Sequence, residues 1–241
     1  MTARSDVLVI VPARNEADCI AGVLSDLRQH CPDCDVIVIN DASTDATADV
    51  ARAVGVRVID LCFNLGIGGA VQAGFKYAAE HGYRIALQFD GDGQHAAPQV
   101  ASLIAPVRAG DCEMAIGSRF MNGGDVYDGS GYRRAGTRAL SWLCSRITGQ
   151  RITDATSGFR AFGPRALRYL AAYYPSDYPE PEAIVLLSRR GLAIREVPVQ
   201  MRPRKTGQSS ISGTRTVYYM AKVSLSLLLA AFKEGPARQA T

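Results

Sequence analysis

The residue pattern with the most specific chemistry is Asp90-Gly91-Asp92-Gly93-Gln94-His95, which directly follows the apolar run Ile85–Phe89. Two carboxylates separated by one glycine can face a single hard cation that prefers oxygen ligands. A magnesium or manganese ion bound there would hold a diphosphate and stabilise its charge as it leaves. A solvated acidic turn is the alternative interpretation, because Asp-Gly pairs are common in loops.

Two further polar turns, Pro12–Glu16 and Asn40–Asp45, follow apolar runs nearer the amino terminus. Their backbone amides and carboxylates can hold a base and a ribose. Helix capping by Ser43, and by Asn15 or Glu16, would explain part of the same pattern without any ligand.

The stretch Asn64–Ala70 begins a predicted helix and can place backbone amides near a phosphate group. Its glycines form GxGG and not the GxGxxG fingerprint of dinucleotide-binding proteins. That fingerprint would also follow the first strand, where this chain has Pro-Ala-Arg-Asn-Glu. The pattern therefore argues against a nicotinamide-dependent oxidoreductase.

The elements that must position these turns alternate between short apolar runs and segments with helical spacing. Strands are predicted at Val7–Val11, Val36–Ile39, Val56–Leu61, Ile85–Phe89, Met114–Gly117 and Ala193–Val199, with a short strand ending at Phe162. Helices are predicted over 16–30, 44–54, 68–81, 98–109, 135–148, 165–173 and 181–190, and a loop over Met121–Tyr132. This alternation indicates an α/β fold with one mainly parallel sheet and helices on both faces. Ligands bind at the carboxyl ends of such strands, so the polar turns should converge on one edge.

Charge is distributed unevenly along the 241 residues. Residues 1–118 contain eight basic and fifteen acidic residues, whereas residues 119–241 contain nineteen basic and eight acidic ones. An acidic half suits a metal, and a basic half suits phosphate groups or an anionic surface. No basic stretch interleaved with aromatic residues occurs, so no nucleic acid partner is expected.

The cysteines and the amino terminus indicate the compartment. Cys31 and Cys34 form a CxxC pair, but it lies between a helix and a strand, where neither a redox motif nor a zinc site is expected. Six reduced thiols are the simpler interpretation. Met1–Asp6 has no basic leader and no apolar stretch, so a cytoplasmic protein is expected.

Several motifs in this order resemble family 2 glycosyltransferases, and most closely the polyprenyl-phosphate branch that includes the dolichol-phosphate mannose synthase-like enzymes. The motifs are PARNE, NDxSTD, NxGxGGA, DGDGQH, Gly117-Ser118-Arg119 and TDATSGFR, and the resemblance covers Val7 to Ser212. It implies a GT-A fold, a nucleotide diphosphate sugar donor, a divalent metal and inversion at the anomeric carbon.

The resemblance also implies roles for individual residues. The nucleotide sugar is expected to be bound by Pro12, Ala13, Arg14, Glu16, Asn40, Asp41, Gly68, Asp90 and Gly91, and Mg²⁺ or Mn²⁺ by Asp90, Asp92 and Gln94. Asp92, Arg119, Arg133, Asp154 and Arg204 are the expected catalytic residues.

Three of these residues are arginines that would neutralise phosphate. Arg119 and Arg133 are expected at the acceptor phosphate, and Arg204 begins an R-x-x-G-x-S loop that would close on the phosphates. A guanidinium group binds phosphate in a fixed fork, although ordinary surface ion pairs are an alternative. Asp154 is the candidate base if the acceptor is a sugar hydroxyl. Its alternative role is to anchor the turn and the nearby arginines.

The chain departs from the family in two places. Ile67 and Gly68 stand where many relatives have a lysine, so phosphate binding there would depend on the backbone alone. Tyr173–Glu182 is rich in tyrosine, proline and acid, and it either shapes a sugar or acceptor pocket or packs its tyrosines into the core.

The predicted domains are a glycosyltransferase domain at 1–213 and a carboxyl-terminal amphipathic helix and tail at 214–241. Thr216–Phe232 has one charged residue, Lys222, but it is shorter than the roughly 20 residues that span a bilayer. An interfacial helix on the inner face of the cell membrane is expected, with the basic residues at 202–205 nearby. The alternatives are packing on the sheet, a homodimer contact, or a contact with a small membrane protein.

These observations predict transfer of a sugar from a UDP- or GDP-sugar to polyprenyl phosphate. Transfer to a sugar hydroxyl of a growing glycan is the alternative within the same class. A sugar-phosphate nucleotidyltransferase would usually have a glycine-rich basic loop after the first strand, which PARNE is not. A non-catalytic nucleotide-sugar-binding module would not need the intact Asp90 and Asp92 pair.

Overall fold

Seven strands from the described part of the chain form one sheet in the order β3-β2-β1-β4-β6-β5-β7. The computed structural model describes residues 5–121, 131–202, 222–227 and 229, without the side chains of 131–134. The strands are β1 (Val7–Ala13), β2 (Asp35–Asn40), β3 (Arg57–Asp60), β4 (Ile85–Gln88), β5 (Met114–Ser118), β6 (Arg160–Phe162) and β7 (Ile194–Pro198). All neighbouring pairs are parallel except those of β6, which runs antiparallel to β4 and β5.

Between residues 5 and 202, the described chain has seven α-helices that cover the two faces of the sheet. They are α1 (Ala17–His30), α2 (Thr47–Ala53), α3 (Gly66–Glu80), α4 (Val100–Arg108), α5 (Gly131–Thr148), α6 (Pro164–Ala172) and α7 (Pro179–Arg189). Buried residues of α3, α5, α6 and α7 form one core cluster, and those of α1, α2 and α4 form the other. The predicted α/β fold with helices on both faces is confirmed.

Strand β1 shows why this sheet is covered twice. All seven of its residues are buried. Leu8 and Ile10 pack into one cluster, whereas Val7, Val9 and Val11 pack into the other. Successive side chains of a strand point to opposite faces, so a continuous apolar run must be covered on both sides.

The helix starts differ from the prediction in an informative way. Helix α2 begins at Thr47 and not at Thr44, and the N-cap residues of α1 and α2, Glu16 and Ala46, form no side-chain capping hydrogen bond. The predicted capping by Ser43, and by Asn15 or Glu16, is therefore wrong. The reason is that the 41–46 segment forms its own turn, in which Asp45 Oδ1 accepts the Thr47 N–H at 3.0 Å.

Four helices, α3, α5, α6 and α7, begin one to four residues closer to the amino terminus than predicted. Helix α3 begins at Gly66, two residues before the prediction, and α5 begins at Gly131 within the predicted Met121–Tyr132 loop. Most of that loop, 122–130, lies outside the described residues.

The described part of the carboxyl-terminal segment, 222–227 and 229, is helical. Val223 and Leu227 are buried in the same core cluster as α5 and α7, whereas Leu225 and Leu229 are more than half exposed. The rest of the predicted helix at 216–232 lies outside the described residues, and the division at 213 and 214 stays a prediction. Across the described ranges, no helix combines the length and apolar character needed to cross a bilayer.

All six cysteines are free thiols. Burial raises the pKa of Cys31 and Cys144 to about 12 and that of Cys34 and Cys112 to about 11. Cys62, which follows β3, is exposed. A raised pKa suppresses the reactive thiolate, so the CxxC pair is chemically quiet.

Candidate active site

A cleft of about 410 Å³ opens at the carboxyl ends of β1, β2 and β4, which are neighbours in the sheet. Eight of the predicted residues line it: Pro12, Ala13, Arg14, Glu16, Asp41, Asp90, Gly91 and Asp92. Asn64, Gly66, Ile67 and Ala70, from the start of α3, complete the lining. A larger depression of about 750 Å³ around Arg28, Tyr77 and His81 contains none of the predicted site residues.

The turns after β1 and β2 hold each other in place. The Asn15 N–H donates to Ser43 Oγ at 3.1 Å, and Asn15 Oδ1 accepts the Thr44 N–H at 2.8 Å. Asn15 and Ala42 both have positive φ angles, of 55° and 51°, which non-glycine residues rarely adopt. Such conformations persist where surrounding contacts fix them and are concentrated at functional sites.

Arg14 and Glu16 both line the cleft beside these locked turns. Arg14 is exposed and forms no ion pair with any residue that the structure describes. An exposed guanidinium at the edge of a cleft is available to an anionic ligand.

Asp41 connects the turn after β2 to the start of α3. Its two carboxylate oxygens accept the N–H groups of Leu65 at 2.7 Å and Gly66 at 2.9 Å. A carboxylate at the start of a helix satisfies free amides and complements the helix dipole. The backbone amides that were expected to meet a phosphate at this helix are therefore already bonded at 65 and 66.

Asn40 and Gly68 do not line the cleft, although both were predicted to bind the nucleotide sugar. Asn40 donates to Asp60 and accepts the Ser43 N–H, so it supports the turn from behind. A Cβ atom on Gly68 would lie 2.4 Å from the Pro175 carbonyl oxygen. Gly68 thus permits a close backbone approach between α3 and the segment that precedes α7.

Buried neighbours hold the first carboxylate of the acidic turn. His95 Nε2 lies 3.0 Å from Asp90 Oδ2, and the imidazole is buried and stacked on Phe159 with ring centroids 4.7 Å apart. With Asp90 ionised, this contact assigns the Nε2–H tautomer to His95. A Cβ atom on Gly158 would lie only 2.8 Å from Asp90 Oδ2, so a larger residue there would force the Asp90 carboxylate to move.

The second carboxylate closes the turn itself. Asp92 is 8% exposed, and its Oδ1 accepts the Gln94 N–H at 3.0 Å. The Gln94 carbonyl in turn accepts the Arg202 N–H at 2.8 Å. Gln94 contributes through its backbone, and it is not among the residues that line the cleft.

This donor set fits a magnesium or manganese ion that shares its coordination with a ligand. Within the described residues no three His, Cys, Asp or Glu side chains form a cluster able to hold a metal by themselves. Mg²⁺ is commonly held by one or two carboxylates, with phosphates and water completing the shell. Asp90 and Asp92, both lining the cleft, match that arrangement.

Arg119 and Asp154 form a bidentate ion pair next to the end of β5. Arg119 Nε and Nη2 donate to the two carboxylate oxygens of Asp154 at 2.6 and 2.7 Å, and the Arg119 backbone N–H donates at 3.1 Å. Asp154 is completely buried. These contacts favour the anchoring role of Asp154 over the role of a base.

Glu196 on β7, which the sequence patterns did not identify, supports this ion pair. Its carboxylate accepts the backbone N–H groups of Thr153 and Asp154 at 2.8 to 2.9 Å. Burial raises the pKa of Glu196, and these hydrogen bonds partly oppose the rise. Nothing in the local sequence around 196 indicated this pairing, because it joins residues more than forty positions apart.

A second buried group, Arg160, braces the segment around α7. Its guanidinium donates to the carbonyl groups of Ser157, Ala155 and Glu180 and is completely buried. Burial lowers the pKa of Arg160. Burial raises the pKa of Glu180, and the positive charge of Arg160 partly opposes that rise.

The Tyr173–Glu182 segment mostly follows the core-packing alternative. Tyr174 and Tyr178 belong to the core, with Tyr174 packed edge-on against Phe75, whereas Tyr173 is exposed. Glu182 accepts a hydrogen bond from Ser226. The segment therefore supports the carboxyl-terminal helix.

The other two predicted catalytic arginines, Arg133 and Arg204, have side chains outside the described residues. The backbone of Arg133 lies in α5, but its side chain is outside the description, and Arg204 lies wholly outside the described residues. Their roles at a phosphate stay predictions.

Comparison with known proteins gives a consistent picture. Residues 8–172 match the family described as Glycosyl transferase family 2. The chain is 34% identical over 215 residues to the undecaprenyl-phosphate mannosyltransferase of Micrococcus luteus, covering 86% of this chain and 88% of that protein. It is 31% identical over 213 residues to the UDP-N-acetylglucosamine–dolichyl-phosphate N-acetylglucosaminyltransferase of Methanococcus voltae, covering 80% and 84%.

Among solved structures, the fold is similar to glucosyl-3-phosphoglycerate synthase from Mycobacterium tuberculosis in complex with Mn²⁺ and UDP-glucose. The TM-score is 0.67 at 22% identity, with 95% of this chain and 79% of that chain covered. This likeness supports the GT-A fold.

Proposed function

Because the chain belongs to glycosyl transferase family 2 and is a glycosyltransferase, we propose that it transfers a sugar from a UDP- or GDP-sugar to polyprenyl phosphate. Transfer would depend on Mg²⁺ or Mn²⁺ and would invert the anomeric carbon. The protein would act at the inner face of the cell membrane, where it would be peripherally bound.

The observation that carries this proposal is the convergence of three turns on one cleft. Arg14 and Glu16 from the first turn, Asp41 from the second, and Asp90 and Asp92 from the third line a volume of about 410 Å³. Ligands of open α/β sheets bind at this edge. Both relatives are named as transferases for a polyprenyl-type phosphate, undecaprenyl phosphate or dolichyl phosphate, and these names support the acceptor class.

In this proposal the donor diphosphate lies beside Asp90 and Asp92, which would hold the metal. When bound, the cation supplies positive charge that stabilises the departing diphosphate. His95 and Gly158 keep the Asp90 carboxylate at the cleft, and Asp41 fixes the start of α3. Because these contacts already hold Asp90 and the start of α3 in place, fewer protein groups need to reorganise during transfer.

The acceptor side of the reaction needs charge and position more than a base. An oxygen of the phosphate monoester attacks the anomeric carbon, a new carbon–oxygen bond forms, and the bond to the donor diphosphate breaks. The nucleophile is already anionic, so Arg119, Arg133 and Arg204 would neutralise and orient it. The engagement of Asp154 by Arg119 supports this acceptor over a sugar hydroxyl, which would require a base.

The experiment is a donor and acceptor panel with purified protein. UDP- and GDP-sugars are supplied with Mg²⁺ or Mn²⁺, with and without undecaprenyl phosphate, next to an Asp92→Ala control. Transfer that needs metal and lipid phosphate, and that is lost in the control, is the expected result. Donor hydrolysis without lipid transfer would redirect the acceptor to a glycan, and no turnover of any nucleotide sugar would overturn the proposal.

A further inference from the structure

Helix α5 has one face that the rest of the described protein leaves open. Its exposed positions are 135, 138, 139, 142 and 146, which lie on one side of the helix. Leu140 and Cys144 on the opposite face are buried in the core. Residues three or four apart lie on the same side of a helix, so the exposed positions form one continuous surface.

This surface combines a large aromatic side chain with positive charge. Trp142 is 64% exposed, and Arg138 and Arg146 lie one turn before and one turn after it. The helix sequence contains four arginines and no acidic residue. Neither Arg138 nor Arg146 forms an ion pair with a residue in the described part of the chain. We call Arg138, Trp142 and Arg146 the α5 face.

The carboxyl-terminal segment adds apolar surface close to the same support. Leu225 and Leu229 are 58% and 57% exposed. Both α5 and this segment pack against the first turn of α7: Cys144 lies against the Pro181 carbonyl, and Ser226 donates to Glu182. Helix α5 and the carboxyl-terminal segment therefore share α7 as a packing partner, and each has exposed apolar side chains.

We infer that the α5 face is the surface on which the protein lies against an anionic lipid bilayer. Tryptophan is enriched at the interface of bilayers, where its ring is apolar and its N–H can remain hydrated. Arginine side chains beside it would meet anionic headgroups. This inference rests on the proposed function, because a lipid-linked acceptor requires the enzyme to reach the membrane surface.

The positive charge of the α5 face favours an anionic bilayer over a second copy of the chain as its binding partner. A symmetric dimer through this face would bring the same arginines of both copies together. Like charges placed against each other at an interface are unfavourable. An anionic surface is complementary to the whole α5 face.

The experiment uses the fact that Trp142 is the one tryptophan of the chain. Its fluorescence is recorded with vesicles of phosphatidylcholine alone, and with vesicles that also contain phosphatidylglycerol, both without polyprenyl phosphate. If the α5 face binds the bilayer, the emission of Trp142 should shift to the blue with the anionic vesicles and should be quenched by brominated lipid in them. An unchanged emission spectrum with anionic vesicles would overturn the inference.

Variants test whether the same residues determine binding. Each basic residue near an anionic surface contributes roughly fivefold to partitioning. The partition coefficient measured by vesicle sedimentation should therefore fall about 25-fold for Arg138→Gln/Arg146→Gln and about tenfold for Trp142→Ala. Arg84→Gln is the matched control, because Arg84 is an exposed arginine outside α5, directly before β4, and this variant should bind as the wild type does. Equal binding by all variants would exclude the α5 face.

Two acceptors separate this inference from the proposed function. Trp142→Ala should lose transfer to polyprenyl phosphate embedded in vesicles and keep transfer to a short, water-soluble polyprenyl phosphate. Wild-type vesicle binding without transfer to either acceptor would overturn the proposed function and leave the α5 face standing. A doubled mass in solution that Trp142→Ala returns to a single chain would assign the face to a second copy instead.

Discussion

The two halves of the sheet use carboxylates differently. On the side of β1, β2 and β4, Asp90 and Asp92 reach the cleft lining, and Asp90 keeps a third of its side chain exposed. On the side of β5 and β7, Asp154 is completely buried beneath Arg119. The first arrangement places carboxylates at the lining of the cleft. The second uses a carboxylate to fix the position of another side chain.

Replacing Asp92 tests the first half of this comparison and should have the largest effect on activity. Asp92→Asn keeps the size and the acceptor for the Gln94 N–H but removes the charge. We expect kcat to fall about 10²- to 10³-fold, because charge stabilisation of the leaving diphosphate is lost. Thermal unfolding should barely change.

The measurement is steady-state transfer at saturating Mn²⁺, with Asp49→Asn as the control because Asp49 is an exposed acid that does not line the cleft. A large drop in thermal stability together with activity would assign Asp92 a structural role.

Asp154→Ala tests the other half, and its effect should fall on stability. It leaves the largely buried Arg119 without its bidentate partner. Breaking a buried ion pair in this way costs about 3–5 kcal/mol of the free energy of unfolding. Urea denaturation measures the loss. A variant with wild-type stability and no activity would favour the role of Asp154 as a base.

Gly68→Ala probes the close approach between the start of α3 and the segment before α7. The new Cβ atom would lie 2.4 Å from the Pro175 carbonyl and 2.6 Å from that of Ser176. Because both neighbours are backbone atoms, the chain must shift, and we expect a destabilisation of about 1–3 kcal/mol. Gly22→Ala is the matched control, since a Cβ atom added there would meet no packing neighbour within 4 Å. Equal melting temperatures for both variants would show that the contact can relax.

The smallest effect is a pH dependence from Glu196. Burial raises its pKa above the ordinary value of 4.5, so the folded protein holds this proton more tightly than the unfolded chain does. Stability from this group is therefore complete below 4.5 and is lost as pH rises through the folded pKa, with a slope of at most about 1.4 kcal/mol per pH unit.

Urea unfolding of the wild type and of Glu196→Gln between about pH 4 and pH 8 measures this slope. The variant should gain stability relative to the wild type as pH rises. A gap that is constant with pH would contradict the raised pKa.

The lining of the cleft was largely predictable from sequence because its residues are local to strand ends. PARNE, NDxSTD and DGDGQH each follow an apolar run, and parallel strands bring such turns to one edge. The contacts that support Arg119, Asp154 and the start of α7 were not predictable in the same way. Glu196 meets Thr153 and Asp154 across the sheet, and the buried Arg160 reaches Glu180 on another element. Pairings of this kind depend on tertiary packing, which no local spacing encodes.

The helix starts show the same limit on a smaller scale. Ser43 has the residue type of a cap, yet its hydroxyl accepts the Asn15 N–H from another turn. The amides at the start of α3 were expected to be free for phosphate, but Asp41 accepts two of them. Local rules identify groups able to form such bonds, and long-range neighbours decide which bonds are made.

The thiol inventory has a practical consequence for following ligands in this enzyme. Burial suppresses the thiolate form of four cysteines, whereas Cys62 is exposed and lies two residues before Asn64, which lines the cleft. A maleimide fluorophore should react first at Cys62, without any cysteine being added or removed. Its emission would then report on the occupancy of the cleft in real time.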